Sequence, residues 1–183
     1  MKKILAIAML AIMLLVPACS MAQISEPKIQ AEQVQVIPIP TQTFTQTNSD
    51  GTTIEISYGG YNIPQSDPLE NVYYRWFVTR AFWLGLQRFW TKNAGYWHYS
   101  GHTCTAIVDA SDYGVTIWGQ YQWAKHHITS TIYPTLPYNN WASQKVHGYF
   151  RNKFDGHLAD AGSQLWVYWD GTIVTPVYYW IWW

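Results

Sequence analysis

Charge and cysteine are both scarce in this chain. Lys, Arg, Asp and Glu together make up 12% of its 183 residues. Sparse, unclustered cations argue against nucleic acid as a partner, because affinity for a phosphate backbone rests on grouped Lys and Arg. The two cysteines are Cys19 and Cys104. Cys19 lies in an export segment, so Cys104 stands alone and no internal disulfide framework is expected. Alone and buried, it would act as a small apolar residue. The sequence also lacks a paired-ligand metal motif such as Cys-x-x-Cys or His-Glu-x-x-His, a Gly-rich phosphate cradle and a Gly-x-Ser-x-Gly elbow. No cofactor and no catalytic residue is therefore assigned.

The longest apolar run, Ile4 to Val16, follows Lys2 and Lys3 and is too short to cross a bilayer stably. With the small-residue exit Pro17 to Ala22 it reads as a signal peptide over 1–22, which makes the protein secreted, periplasmic or displayed at the cell surface. Two cleavage readings compete: a cut after Ala22, or a lipoprotein-type cut before Cys19. The first is preferred, because Ser20 and Ala22 suit ordinary cleavage and Pro17 fits a lipobox poorly. Losing Lys2 and Lys3 takes Lys+Arg from 11 to 9 against 11 acidic residues, a formal net charge of −2. Gln23 to Asn48 is rich in Gln, Thr and Pro; within it 23–40 read as an extended arm or linker, and 41–183 as one globular domain.

What the sequence has in abundance is aromatic surface, with 12 Trp, 14 Tyr and 6 Phe. All the Trp lie after position 75, and Trp76, Trp83, Trp90 and Trp97 are spaced by seven. Leu69, Val72, Trp76, Thr79, Trp83, Leu86 and Trp90 follow steps of three and four, which predicts one long aromatic helix over about 68–92. Asp67-Pro68-Leu69-Glu70 supplies a start signal, and Arg88, Lys92 and Gly95 supply a stop. On that reading Trp83 belongs to the core.

The remainder reads as β. Thr41–Thr47 and Thr52–Tyr58 flank the turn Asn48-Ser49-Asp50-Gly51, and Gln164–Trp169 precedes Asp170-Gly171, with Val167 opposite Val174. Val115, Ile117, Tyr121 and Trp123 alternate with Trp118, Gln120 and Gln122, predicting one strand through 115–123. Thr103–Val108, Ile128–Tyr133 and Lys145–Phe150 are further strands, and 133–140 is a loop that carries Trp141 towards the surface. Pro176 implies an edge or a bulge in the last strand. The expected fold is α+β, mostly β: an antiparallel sheet or sandwich with the aromatic helix packed on it. The alternative is a small outer-membrane β-barrel, suggested by the aromatic C-terminus.

Trp118 beside Gln120 and Gln122, and Trp166 with Tyr168 beside Gln164, place flat rings next to amides on the more polar strand faces. Such pairs suit stacking on sugar C–H faces with amide hydrogen bonding, so these six are the candidate ligand-binding residues, for glycan, cell-wall polymer or a protein surface. His98, His102 and Cys104 form a weak metal candidate, with His126, His127, His147 and His157 as further donors. Asp109, Asp112, Asp155, Asp160 and Asp170 read as turn residues. A non-enzymatic exported binding module is the leading expectation. The alternative is a membrane-active or antibacterial protein acting through the Trp- and Arg-bearing helix, with peripheral membrane contact.

Overall fold

The computed structural model describes residues 36–174 and 178–182. The signal peptide, the Cys19 lipobox, most of the arm and Pro176 lie outside the described residues. The strands are β1 (Ile37–Thr47), β2 (Thr52–Ile63), β3 (Glu70–Trp83), β4 (Leu86–Ser100), β5 (Thr103–Asp109), β6 (Asp112–Val115), β7 (Trp123–Tyr133), β8 (Tyr138–Asn139), β9 (Trp141–Asn152), β10 (Leu158–Tyr168) and β11 (Tyr178–Trp182). All pair antiparallel. The large sheet runs β1-β2-β3-β4-β5-β8, with β6 beside the first half of β4, and the small sheet runs β11-β10-β9-β7. The two sheets face one another as a sandwich and do not close into a barrel, which corrects the barrel alternative.

No helix occurs among the described residues, and the helix expected over 68–92 is instead the hairpin β3–β4. Its turn is Leu84-Gly85, both with positive φ (50° and 74°), closed by the pair Trp83↔Leu86. Two consecutive left-handed residues match the strand twist of a primed hairpin turn, and Gly85 makes the second at no steric cost. Asp67 does cap, but a turn: its Oδ1 accepts from the Leu69 N–H at 2.9 Å, and its carbonyl accepts from the Glu70 N–H. The helical period was misleading because both faces of this hairpin are apolar. Tyr73, Phe77, Ala81, Phe89 and Trp97 point at the small sheet, while Trp76, Val78, Trp90 and Ala94 cover the outer side. When both parities are filled, any period can be drawn through them, and the local content of Val, Tyr, Phe, Trp and Thr decides for strand. On the outer face the rings of Trp76 and Trp90 lie against Gly59 and Gly114 of the neighbouring strands, where an added Cβ would come within 3.0 and 2.7 Å of them.

Between the sheets the core is divided. One apolar cluster gathers Phe77, Trp97, Tyr99, Cys104, Leu165 and Val167, and the other Ala81, Phe89, Trp123, Phe150 and Ala161. A polar belt of Thr79, Thr91, Asn93, Gln144 and Ser163 separates them, all but solvent-free. Asn93 donates to the Gln144 and Ser163 carbonyls at 2.7 and 3.1 Å. Gln144 donates to Asp109 at 2.6 Å and to Ser130 at 2.9 Å. Burial alone would raise the Asp109 carboxyl, but hydrogen bonds from Ser111, Ser130 and Gln144 outweigh it and hold the group below its usual range. Asp109 is thus an anchor for the belt as well as a turn residue. Asp160 is not at a turn; it lies on β10, 3.5 Å from His147.

Arg75 ties the large sheet to the turn after β10. It is 1% exposed, and its guanidinium donates to Gly171 O at 2.9 and 2.8 Å, Tyr61 O at 2.8 Å, Tyr74 O at 2.9 Å and Asn62 Oδ1 at 2.7 Å. Gly171 sits against it at φ 81°, where a Cβ would lie 2.5 Å from Nη2. The Tyr73 hydroxyl adds a bond to the Trp169 carbonyl at 2.9 Å.

Candidate functional site

The face of the small sheet that looks away from the core is set by strict alternation along β9 and β10. Leu165 and Val167 point inward with Ala142 and Gln144, so Gln164, Trp166 and Tyr168 point outward. The register places Trp141 opposite Tyr168, Ser143 opposite Trp166 and Lys145 opposite Gln164. Beyond Tyr168 the chain turns through Trp169-Asp170-Gly171, with the Thr172 N–H donating to Asp170 Oδ1 at 2.9 Å and the Gly171 N–H to the Tyr168 carbonyl. This is a three-residue turn, so Val167 bridges Ile173 rather than Val174. The expected register was off by one, which flips every side chain on the return strand. Val174 therefore swings to the outer side, its N–H donating to Trp166 O at 3.2 Å.

Trp141, Trp166, Tyr168 and Val174 line a cleft of about 230 Å³. Tyr138 meets Trp141 edge-on at 5.3 Å between ring centroids, and His102 stacks on Trp169 at 4.0 Å. Gln164 donates to the Ser143 hydroxyl at 3.0 Å, and Ser143 in turn to the Tyr133 carbonyl, which fixes the amide beside the indole. The result is an open trough walled by two indoles and a phenol, with amide and hydroxyl groups at its side. It can stack on a flat, C–H-bearing ring and hydrogen-bond the ring's substituents.

The other three candidate residues lie elsewhere. Trp118, Gln120 and Gln122 do not share a strand with Val115, because the chain leaves β6 in the large sheet and crosses to β7 in the small one through 116–122. The Gln120 N–H donates to Thr116 O, and the Gln122 and Trp123 N–H groups to Gly119 O. Gly119 lies so close to the Arg88 carbonyl that no Cβ fits. Trp118 and Gln120 are exposed on this loop, whereas Gln122 lines a second cleft of about 270 Å³ with Thr52, Trp83, Arg88, Trp123, Asn152 and His157. The two clefts occupy opposite ends of the sandwich, so the six residues do not form one site. Trp83 is not core: it ends β3 and is 43% exposed.

Sequence reading missed the pairing of Trp141 with Tyr168, since it depends on long-range register. It also missed Arg88 and Asn152 of the second cleft, whose neighbours come from different strands. The metal candidates do not converge. His98 points to the outer face of the large sheet, His102 lies in the β4–β5 turn against Trp169, and Cys104 points into the core. Among the described residues no three His, Cys, Asp or Glu side chains are grouped as metal ligands.

Burial pushes the Cys104 thiol up to about 11, and burial likewise raises the Tyr99 hydroxyl, which donates to Val167 O at 2.6 Å. A group that holds its proton more tightly when folded stabilises the fold below its ordinary value and loses that contribution as pH rises through the folded one. Stability should therefore fall as pH climbs from about 9 towards 11. In Cys104→Ala the fall should start near pH 10, where the tyrosines begin to titrate in the unfolded chain. Denaturant melts across this range check it; identical slopes in both proteins would contradict it.

The chain matches no known family, and comparison with curated proteins and with solved structures likewise finds no match.

Proposed function

We propose that this is an exported envelope or extracellular protein that binds glycan, without chemistry of its own, through the cleft of Trp141, Trp166 and Tyr168. The observation that carries this reading is the convergence of three large aromatic side chains on the solvent side of a sheet. The inner faces already supply a full core, so these rings are not needed to build it. Gln164 and Ser143 add directional hydrogen bonds beside the stacking surface, as recognition of a polyhydroxylated ring requires. The low charge suits a neutral polymer better than a polyanion.

Retention of the protein on insoluble cell-wall glycan, with titration of soluble oligosaccharides, tests the reading. Trp166→Ala or Trp141→Ala should weaken binding about tenfold, equivalent to about 1.4 kcal/mol of lost stacking, with little change in melting temperature. Absence of binding by the unaltered protein, or collapse of the fold in both variants, would overturn it.

A further inference from the structure

The end of the sandwich opposite the aromatic trough carries four loops: the polar β1–β2 turn Asn48-Ser49-Asp50-Gly51, and three whose tips are apolar. Leu84 in the β3–β4 turn is 71% exposed, Ile117 and Tyr121 in the 116–122 crossing are 67% and 70%, and Phe154 between β9 and β10 is 81%. Each tip adjoins a residue that lines the second cleft: Leu84 follows Trp83, Tyr121 precedes Gln122, and Phe154 lies two residues after Asn152. Three apolar tips and the polar Asn48–Gly51 turn thus flank a cavity whose lining includes a guanidinium, two amides, an imidazole and a hydroxyl.

The charges at this end are uneven in their pairing. Among the described residues the Arg88 guanidinium donates only to the Trp118 carbonyl, at 3.0 Å, and it lies over the Trp83 ring at 5.2 Å. Its Nε is shielded from solvent and has no hydrogen-bond partner among the described residues. The Lys153 ammonium is held by the Gln120 carbonyl. Neither cation has a carboxylate within ion-pair distance among the described residues. The two nearby carboxylates, Asp50 and Asp155, are turned to N–H groups of their own loops, Thr52 and His157. A cation backed by neutral carbonyls and an indole attracts an anion. Isolated convex tips of Leu, Ile, Phe, Tyr and Trp suit the boundary of a bilayer, where aromatic rings settle at headgroup level, better than they suit a flat protein surface.

We propose that this end docks on a phospholipid bilayer, the loop tips entering the headgroup–acyl boundary and Arg88 holding the phosphodiester of one lipid in the cleft. The docking moves the membrane-active expectation from a helix to loop tips, and it is independent of glycan binding at the far end. Asp50 and Asp155 offset the charge of Arg88 and Lys153, so docking rests mainly on apolar insertion and requires no strongly anionic membrane.

Co-sedimentation of the purified protein with vesicles of phosphatidylcholine, alone and mixed with phosphatidylglycerol, reads the docking, and a blue shift of tryptophan emission reads insertion. The unaltered protein should sediment with both. Leu84→Asn with Phe154→Ser should reduce partitioning at least about tenfold, because two apolar anchors are lost while Asn tolerates the left-handed turn. Arg88→Gln should weaken binding to both vesicle types, since both lipids carry the phosphodiester. Melting temperature and glycan retention should be unchanged in the loop-tip variant, which separates this result from failure of the glycan reading. A protein that stays in the supernatant with both vesicles, or variants that sediment as the unaltered protein does, would overturn the proposal. So would loop-tip variants that abolish a concentration-dependent dimer, since the tips would then cover one another between copies.

Discussion

Arg75→Ala should destabilise the protein by about 3–5 kcal/mol, the range seen when one member of a buried, hydrogen-bonded polar group is removed. Five donated bonds disappear together, and the carbonyls of Gly171, Tyr61 and Tyr74 are left to find other partners. No carboxylate forms an ion pair with it among the described residues; burial pulls the guanidinium down to about 10, only partly offset by Tyr73 and the Asp170 carboxylate, and the bonds to neutral oxygens hold it in place. Arg75→Lys should be nearly as damaging, because one ammonium cannot reach four residues at once. Arg75→Met, which removes the charge but fills much of the cavity that alanine leaves, should recover part of the loss. Urea denaturation of the three variants gives the values, and a cost below about 1 kcal/mol for alanine would show that the pin is ornamental. Because Gly171 is the anchored residue, the surviving fold of these variants should also bind glycan more weakly, through a loosened wall at Tyr168 and Val174.

Of the four tryptophans spaced by seven, the one whose loss should matter most is Trp97. Trp97→Ala should cost about 3–5 kcal/mol, since the side chain is wholly buried between Tyr73, its cross-strand neighbour, and the small sheet. Trp83→Ala should cost less than about 1 kcal/mol, because its ring stands at the mouth of a cleft. Equal costs at the two positions, measured by denaturant melts, would refute the hairpin and restore the helical stripe, in which Trp83 was core.

That contrast shows what could be read before the structure. The hairpin at Asn48–Gly51, the turn at Asp170-Gly171 and the outward side of Gln164, Trp166 and Tyr168 were legible, since each depends only on residues close in sequence. The 68–92 segment was not, because aromatic residues cover both faces of β3 and β4 and hide the period of two. Gly95, read as a helix stop, is a mid-strand residue where a Cβ would lie 2.8 Å from the buried Gln144 amide oxygen. The loop through Trp118 was hidden by alternation that continues across 116–122, where the chain passes between sheets. The polar belt, the Arg75 pin and the Trp141–Tyr168 pair all join residues far apart in sequence. Only the sandwich brings them together.

The most direct test of the aromatic trough uses the 12 indole N–H signals that the protein offers to heteronuclear NMR. Each is assigned by single substitution, and soluble cell-wall oligosaccharides are titrated in. The signals of Trp141 and Trp166 should move with ligand, while that of Trp97 in the core and those of Trp83 and Trp118 at the far end stay in place. Movement confined to Trp83 and Trp118, or no movement with any glycan, would contradict the account.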